Sequence, residues 1–357
     1  MNQHYEININ GRAIGPSHPP YLIAELSGNH NGDFDRAIAL ISAAKKSGAN
    51  AVKLQTYTAD TITMDHDGRG FIIEDGLWKG RHLYELYQEA STPWEWHEKL
   101  FAHARALDLT IFSSPFDTTA VDFLERLHAP AYKIASFEIV NLPLIARVAK
   151  TGRPIIMSTG MASTEEISEA LATAKAGGGS QVALLQCTSG YPSPPEDSNL
   201  RTIGDLAERF GTVVGLSDHT LGTAVPVSAI ALGAAIVEKH FTHHRADGGP
   251  DAAFSLEPQE FAKLCADCRT AWSALGQITY AVAPSEVGSL KVRPSLYAVK
   301  DIAKGEALTL ENVRPIRPGY GLAPKHLDTV LGLKASQEVP RGTPLNWDLI
   351  KDGEESK

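Results

Sequence analysis

Cysteine is scarce in this chain, with three in 357 residues. That is too few for a disulfide framework and suits a reducing compartment. Basic residues are in the minority, 33 Lys and Arg against 42 Asp and Glu, and the net charge of -9 argues against a general nucleic-acid surface, which needs clustered cations to displace counterions. An anionic ligand must then be held by local donors, not by the overall field. No apolar run approaches bilayer-spanning length, so no membrane partner is expected, and MNQHYEININGRAIG lacks the charged-then-apolar pattern of a signal peptide. A cytoplasmic protein is the expectation. No G-x-G-x-x-G follows the first strand-like run, which weakens a dinucleotide-binding reading. Cys265-x2-Cys268 has a zinc-like spacing but sits in a helical pattern with no second pair, so packing is expected of it.

What the chain does have is a recurring unit. Eight short apolar runs, Tyr21 to Glu25, Ala51 to Gln55, Thr110 to Ser114, Ala131 to Ser136, Pro154 to Thr159, Val182 to Cys187, Val213 to Ser217 and Ala235 to His240, each close on polar residues and lead into a helical pattern. Thr92-Pro93-Trp94-Glu95 and Ser163-Thr164-Glu165-Glu166 read as helix N-termini with capping chemistry. Eight such units predict a (β/α)8 TIM barrel, whose strand C-termini converge on one mouth. Among the residues brought there would be Glu25, Lys53, Ser113, Ser114, Lys133, Ser136, Glu138, Ser158, Ser189, Ser217, Asp218, His219, Glu238, Lys239 and His240. The long connection from Tyr57 to Ser91 suits a lid or substrate loop, with a surface hairpin as the alternative. The barrel is expected over 1–275, a linker over 276–290 and a small β-rich domain over 291–357. In the last, Asp301 to Val313 and Glu338 to Ile350 form an internal pseudo-repeat.

His219 and His240 close neighbouring strands about 4.8 Å apart, near enough for two imidazoles to share one cation, although each could equally hydrogen-bond within the rim. Lys53 and Lys133 point to an anion or to Schiff-base chemistry, with a rim salt bridge as the bland reading. Serines at several strand ends would add hydroxyls, making a phosphate and carboxylate cradle without a P-loop.

AELSGNHNGD, VKLQTY, FSSPFD, YKIASFE, STGMAS, LLQCTSGYPSP, GLSDHT, EKHFT and GGPDAAFSLEP, in that order, resemble the sialic acid synthase family, and the tail resembles its C-terminal antifreeze-like (SAF) domain. The resemblance implies condensation of phosphoenolpyruvate with an N-acylated amino-sugar aldehyde to give a nine-carbon keto acid and phosphate. It implies that Lys53, Ser114, Lys133, Ser136, Ser158, Ser189 and Ser217 hold phosphoenolpyruvate. His219 and His240 would hold a divalent metal, Mn²⁺ above Mg²⁺ or Co²⁺. Glu25, Glu138 and Asp251 match acidic positions for substrate binding and proton transfer, Glu138 being the first candidate for proton transfer and Glu25 the second; Tyr191 would line the pocket. Ser189 and Ser114 stand where N-acetylneuraminate synthases usually carry Asn and Thr, which bears on the sugar and not on the reaction. GLWKGRHLYELYQEASTPWEWH and RADGGPDAAFSLEP are most similar to the pseudaminic acid branch, implying 2,4-diacetamido-2,4,6-trideoxy-L-altrose as acceptor, with legionaminate or N-acetylneuraminate synthesis as runner-up. Arg317, in RPGYGLAPKHL, matches an arginine that reaches the sugar of the other subunit, implying a domain-swapped homodimer.

Overall fold

The computed structural model describes residues 5–351, and these divide into two compact units between Gly276 and Gln277. In the first, strands β3 (Tyr21–Glu25), β4 (Ala51–Thr56), β5 (Thr110–Pro115), β6 (Tyr132–Ile134), β7 (Ile155–Ser158), β8 (Val182–Cys187), β9 (Val213–Asp218) and β10 (Ile236–His240) close a parallel barrel, β10 pairing with both β9 and β3. All eight coincide with the apolar runs of the sequence to within two residues at either end.

Each strand alternates faces, and the two faces have different partners. Leu22, Val52, Ile111, Tyr132, Ile155, Leu184 and Val237 turn outward into the main core, against the surrounding helices. Ile23, Ala51, Phe112, Ile156, Ala183 and Ile236 turn inward and form a second apolar cluster. That inner cluster is completed by a hairpin of β1 (Ile7–Ile9) and β2 (Arg12–Ile14), whose Ile7, Ile9 and Ile14 are buried against it. The hairpin turns on Asn10-Gly11, with φ of 52° and 82°, the left-handed pair that a two-residue turn between twisted strands requires. Apolar side chains therefore fill one end of the barrel, and its polar groups gather at the other.

Ser163 caps the helix Thr164–Ala176 as the sequence predicts, its hydroxyl accepting from Glu166 N at 3.2 Å while Ser163 N donates to Glu166 Oε2 at 2.8 Å. Thr92 does not cap. The chain enters His97–Ala106 through a 3-10 turn, Trp94–Trp96, with Pro93 before it, and Thr92 Oγ1 is buried without a partner among the described residues. Cys265 and Cys268 lie in the core on the helix Pro258–Leu275, where burial pushes both thiols up to about 12, the state of packed and not metal-binding cysteines.

In the second unit β11 (Ser295–Ala298) pairs with β12 (Val313–Ile316), and β13 (Lys334–Ala335) with β14 (Ile350–Lys351). The pseudo-repeat is a structural one. Its equivalent residues Ile302 and Val339 pair reciprocally, each N–H donating to the other's carbonyl at 2.9 Å. The Leu345 N to Leu296 O bond of 2.9 Å likewise mirrors Leu308 N to Leu333 O at 2.8 Å. Two copies of one short motif thus build a core of their own from Leu296, Ile302, Leu308, Val313, Val339 and Leu345.

Candidate active site

The inward positions one step beyond the apolar layer carry the chemistry. Lys53 on β4 lies between two carboxylates, 2.8 Å from Glu25 Oε2 and 3.0 Å from Glu238 Oε1, and donates to Ser114 Oγ at 3.2 Å. All four side chains are buried. Burial alone would lower the lysine, but Glu238 and Glu25 outweigh it and raise it above its ordinary range, so Lys53 is firmly cationic. Burial would also raise both carboxyls. For Glu238 the Lys53 and Lys133 charges prevail and hold it low, whereas Glu25, next to that second carboxylate, stays raised.

Lys133, equally buried, has no carboxylate within ion-pair distance among the described residues. Its ammonium donates to Ile134 O at 3.1 Å, and burial lowers it. Nearby hydroxyls converge on the backbone of Gly160, whose N–H donates to Ser136 Oγ at 3.2 Å. A Cβ at Gly160 would come 2.6 Å from Ser189 Oγ and 2.7 Å from Ser136 Oγ, so only glycine leaves this space open. Among the described residues, Ser158 Oγ, Ser189 Oγ and Glu138 Oε2 are buried without a hydrogen-bond partner, an unusual concentration of unmet acceptors and donors. Glu138 sits in a 3-10 turn, Ser136–Val140, directly after β6, where burial pushes its carboxyl up to about 7 against the pull of Lys133. That places it between acid and base at neutral pH.

His219 follows β9 and His240 ends β10, with ring centroids 5.4 Å apart. His219 Nδ1 is 2.8 Å from Thr188 O; a carbonyl only accepts, so that nitrogen carries the proton and Nε2 keeps its lone pair. His240 is held neutral by burial, well below its ordinary range. The two rings lie close enough to share one divalent cation, with His219 offering Nε2. No third His, Cys, Asp or Glu joins them in a ligating cluster among the described residues, so a cation there would complete its sphere with water or substrate. Burial would raise the Cys187 thiol, but hydrogen bonding to His219 outweighs it and lowers it to about 7, and the same contact raises His219.

Aromatic rings wall the histidines. Tyr191 lies 4.4 Å from the His219 ring and Phe254 4.9 Å from His240. Trp78, from the long Tyr57 to Ser91 connection, stands 5.6 Å from Tyr191, its indole N–H donating to Pro250 O at 2.8 Å. The connection thus reaches the mouth as a substrate loop would. Ser217 Oγ donates to Glu238 Oε1 at 3.4 Å, and Asp251 accepts from Ser27. Arg317 lies in the other unit, at an exposed position after β12.

Three residues expected at the mouth are not there. Ser113, Asp218 and Lys239 occupy the intervening strand positions and so face outward: Ser113 Oγ is 2.6 Å from Thr56 Oγ1, and Lys239 is locked in a buried ion pair with Asp218. Glu238, placed at the mouth by its strand end, is there and closes on Lys53, two residues before His240 on the same strand face. Conversely, Trp78, Phe254, Cys187 and Ser27 belong to the site although sequence reasoning did not select them.

An anion cradle, a mid-range carboxyl and a pair of adjacent imidazoles at the C-terminal mouth of a barrel define a barrel enzyme of acid–base and anion chemistry. The chain belongs to the NeuB family, which it matches over residues 40–280, and it matches the SAF domain over residues 293–351. It is 45% identical over 93% of its length to the pseudaminic acid synthase of Helicobacter pylori, covering 98% of that protein. It is 36% identical over 96% of its length to the N,N'-diacetyllegionaminic acid synthase of Legionella pneumophila, covering 98% of it. The crystal structure of the N-acetylneuraminic acid synthetase of Leptospira borgpetersenii superposes with a TM-score of 0.72 at 30% identity, covering 81% of this chain and 97% of that one.

Proposed function

We propose that the chain condenses phosphoenolpyruvate with 2,4-diacetamido-2,4,6-trideoxy-L-altrose, giving pseudaminic acid and phosphate. The observation that carries the reading is the meeting, at one mouth, of Lys133 and the converging Ser136 and Ser189 hydroxyls with a Glu138 carboxyl near pH 7. The likeness to pseudaminic acid synthases, at 43–45% identity against 36–37% for the legionaminic ones, favours the pseudaminic acceptor.

Lys133, Ser136, Ser158 and Ser189 would bind the phosphoryl oxygens, with Lys53, Ser114 and Ser217 beside them for the carboxylate. Tyr191 and Asp251 would line the acceptor's place. A divalent cation held by His219 and His240, Mn²⁺ by ligand type with Mg²⁺ or Co²⁺ as substitutes, would polarise the acceptor aldehyde. C3 of phosphoenolpyruvate attacks that aldehyde, water adds at C2, and Glu138 takes the water's proton. The tetrahedral intermediate then releases phosphate by C–O cleavage. Glu25 is the less suitable base, because its carboxylate is already engaged by Lys53, Ser27 N and Gln55. Arg317 would complete the sugar site of a second subunit in a domain-swapped homodimer. Three free thiols and a glycolytic co-substrate suit a cytoplasmic enzyme.

Phosphate release measured side by side with the acceptors of pseudaminate, legionaminate and N-acetylneuraminate synthesis tests the assignment. The trideoxy-altrose should give the highest kcat/KM; preference for another sugar would replace the acceptor, and sugar-independent or absent release would overturn the reaction. In ¹⁸O-water the label should enter C2 of the product and not the phosphate.

A further inference from the structure

We infer that Ser27 is a positioning residue, whose hydroxyl links Asp251 to His240 and so fixes the tautomer in which His240 presents Nε2 to the metal. The inference rests on the metal reading above. Ser27 Oγ lies 2.5 Å from Asp251 Oδ2 and 3.2 Å from His240 Nδ1. A carboxylate only accepts, so the single hydroxyl proton goes to Asp251. Toward His240 the same oxygen can then only accept, which requires the proton on Nδ1 and leaves the lone pair on Nε2. The outcome is the tautomer that His219 reaches through Thr188 O. A hydrogen-bonded group behind a ligating imidazole fixes ring and tautomer in this way.

The segment bearing Ser27 is held from several sides, so the hydroxyl is not free to turn elsewhere. Ser27 N donates to Glu25 Oε1 at 2.9 Å, and Gly28 N approaches Asp251 Oδ2 at 3.4 Å. Asn29 Nδ2 donates to Ser255 Oγ at 2.9 Å, and Ser255 Oγ donates to Asp251 O at 2.6 Å. Residues 27–29 and 251–255 are thus tied together behind His240. Ser27 has a φ of 37°, a left-handed value that glycine adopts without strain. Ser27→Gly therefore removes the hydroxyl while sparing the backbone.

The test is Mn²⁺ titration of the metal-stripped full chain without substrates, free ion being read by electron paramagnetic resonance. Variants are Ser27→Gly, Asp251→Ala, the double variant and His240→Ala. Ser27→Gly should weaken Mn²⁺ about 10-fold, within the range of about 10–100-fold for loss of such a partner. Asp251→Ala should weaken it more, because the released hydroxyl can donate to Nδ1 and favour the wrong tautomer. The double variant should then bind no more weakly than Asp251→Ala alone. Wild-type affinity in Ser27→Gly, or a double-variant loss equal to the product of the two single losses, overturns the relay while leaving the metal site standing. Unchanged affinity in His240→Ala overturns the metal reading and the relay together.

Discussion

Glu25 and Lys53 are direct neighbours in the parallel pairing of β3 with β4, and their side chains meet inside the barrel at 2.8 Å. Glu238, from the strand on the other side of β3, closes on the same ammonium at 3.0 Å. One buried cation is thus in direct contact with two buried carboxylates, and its loss leaves them with only the more distant Lys133 charge. Lys53→Met should cost about 3–5 kcal/mol of stability, the range for breaking a buried pair. The cost should be smaller at pH 5 than at pH 8. Without Lys53 the carboxyls titrate above their unfolded values, so stability is present below those values and falls as pH rises through the raised ones. Urea denaturation at the two pH values reads this; equal losses would mean that the lysine contributes packing and not charge.

The same cation bears on the Schiff-base rival. Of the two candidate lysines, Lys53 is held protonated and Lys133 is lowered by burial. If a carbonyl adduct formed at all, borohydride with pyruvate should trap Lys133. The condensation proposed here needs no such adduct, so mass spectrometry should find neither lysine modified and turnover should survive the treatment.

Glu138→Gln should keep phosphoenolpyruvate binding and lose kcat by about 10²–10⁴-fold. In the parent enzyme kcat should fall as pH drops through about 7, where Glu138 takes up its proton. Stability supplies an independent check. A carboxyl raised in the folded state contributes stability below its unfolded value, lost as pH rises toward about 7, and the amide abolishes that loss. The melting temperature of Glu138→Gln should exceed the parent's at pH 8 and match it near pH 4. A lower value at both would make Glu138 a structural residue.

Trp78 packs on Tyr191 and Phe254, the rings that wall the histidines, from a loop that has no part in the barrel. Trp78→Ala should raise the acceptor KM by about 5- to 150-fold and leave that for phosphoenolpyruvate within about twofold, since a half-buried aromatic contact contributes on the order of 1–3 kcal/mol. Equal increases in both would mean that the loop shapes the whole mouth instead of the sugar's share of it.

For Arg317 the dimer reading makes a complementation test. Arg317→Ala and His240→Ala chains, each inactive alone, should regain activity when mixed, because the heterodimer has one site with both residues intact. Native mass spectrometry of differently tagged chains verifies exchange. No recovery in verified heterodimers would assign the arginine to its own barrel or to no site.

The barrel was legible in the sequence because each strand is a short apolar run ended by polar residues, and strand propensity, turn chemistry and burial agree there. The hairpin went unread, although Asn10-Gly11 between alternating isoleucines is a signal for it, and it takes the folded barrel to show what those isoleucines cover. The two histidines, two lysines and Glu138 followed from strand ends alone. Side-chain direction did not, since a strand end marks a position and not a face: Asp218 and Lys239 proved to pair outside the barrel, and Glu238 to join Lys53 inside it. Trp78 and the Ser27 to His240 contact, which spans 213 residues, leave no periodic trace, because they depend on where loops cross once the sheet has closed. Local pattern therefore determined the elements and the chemical inventory, while closure of the sheet decided which charges neutralise one another, which nitrogen of a histidine is free and which rings wall the histidines.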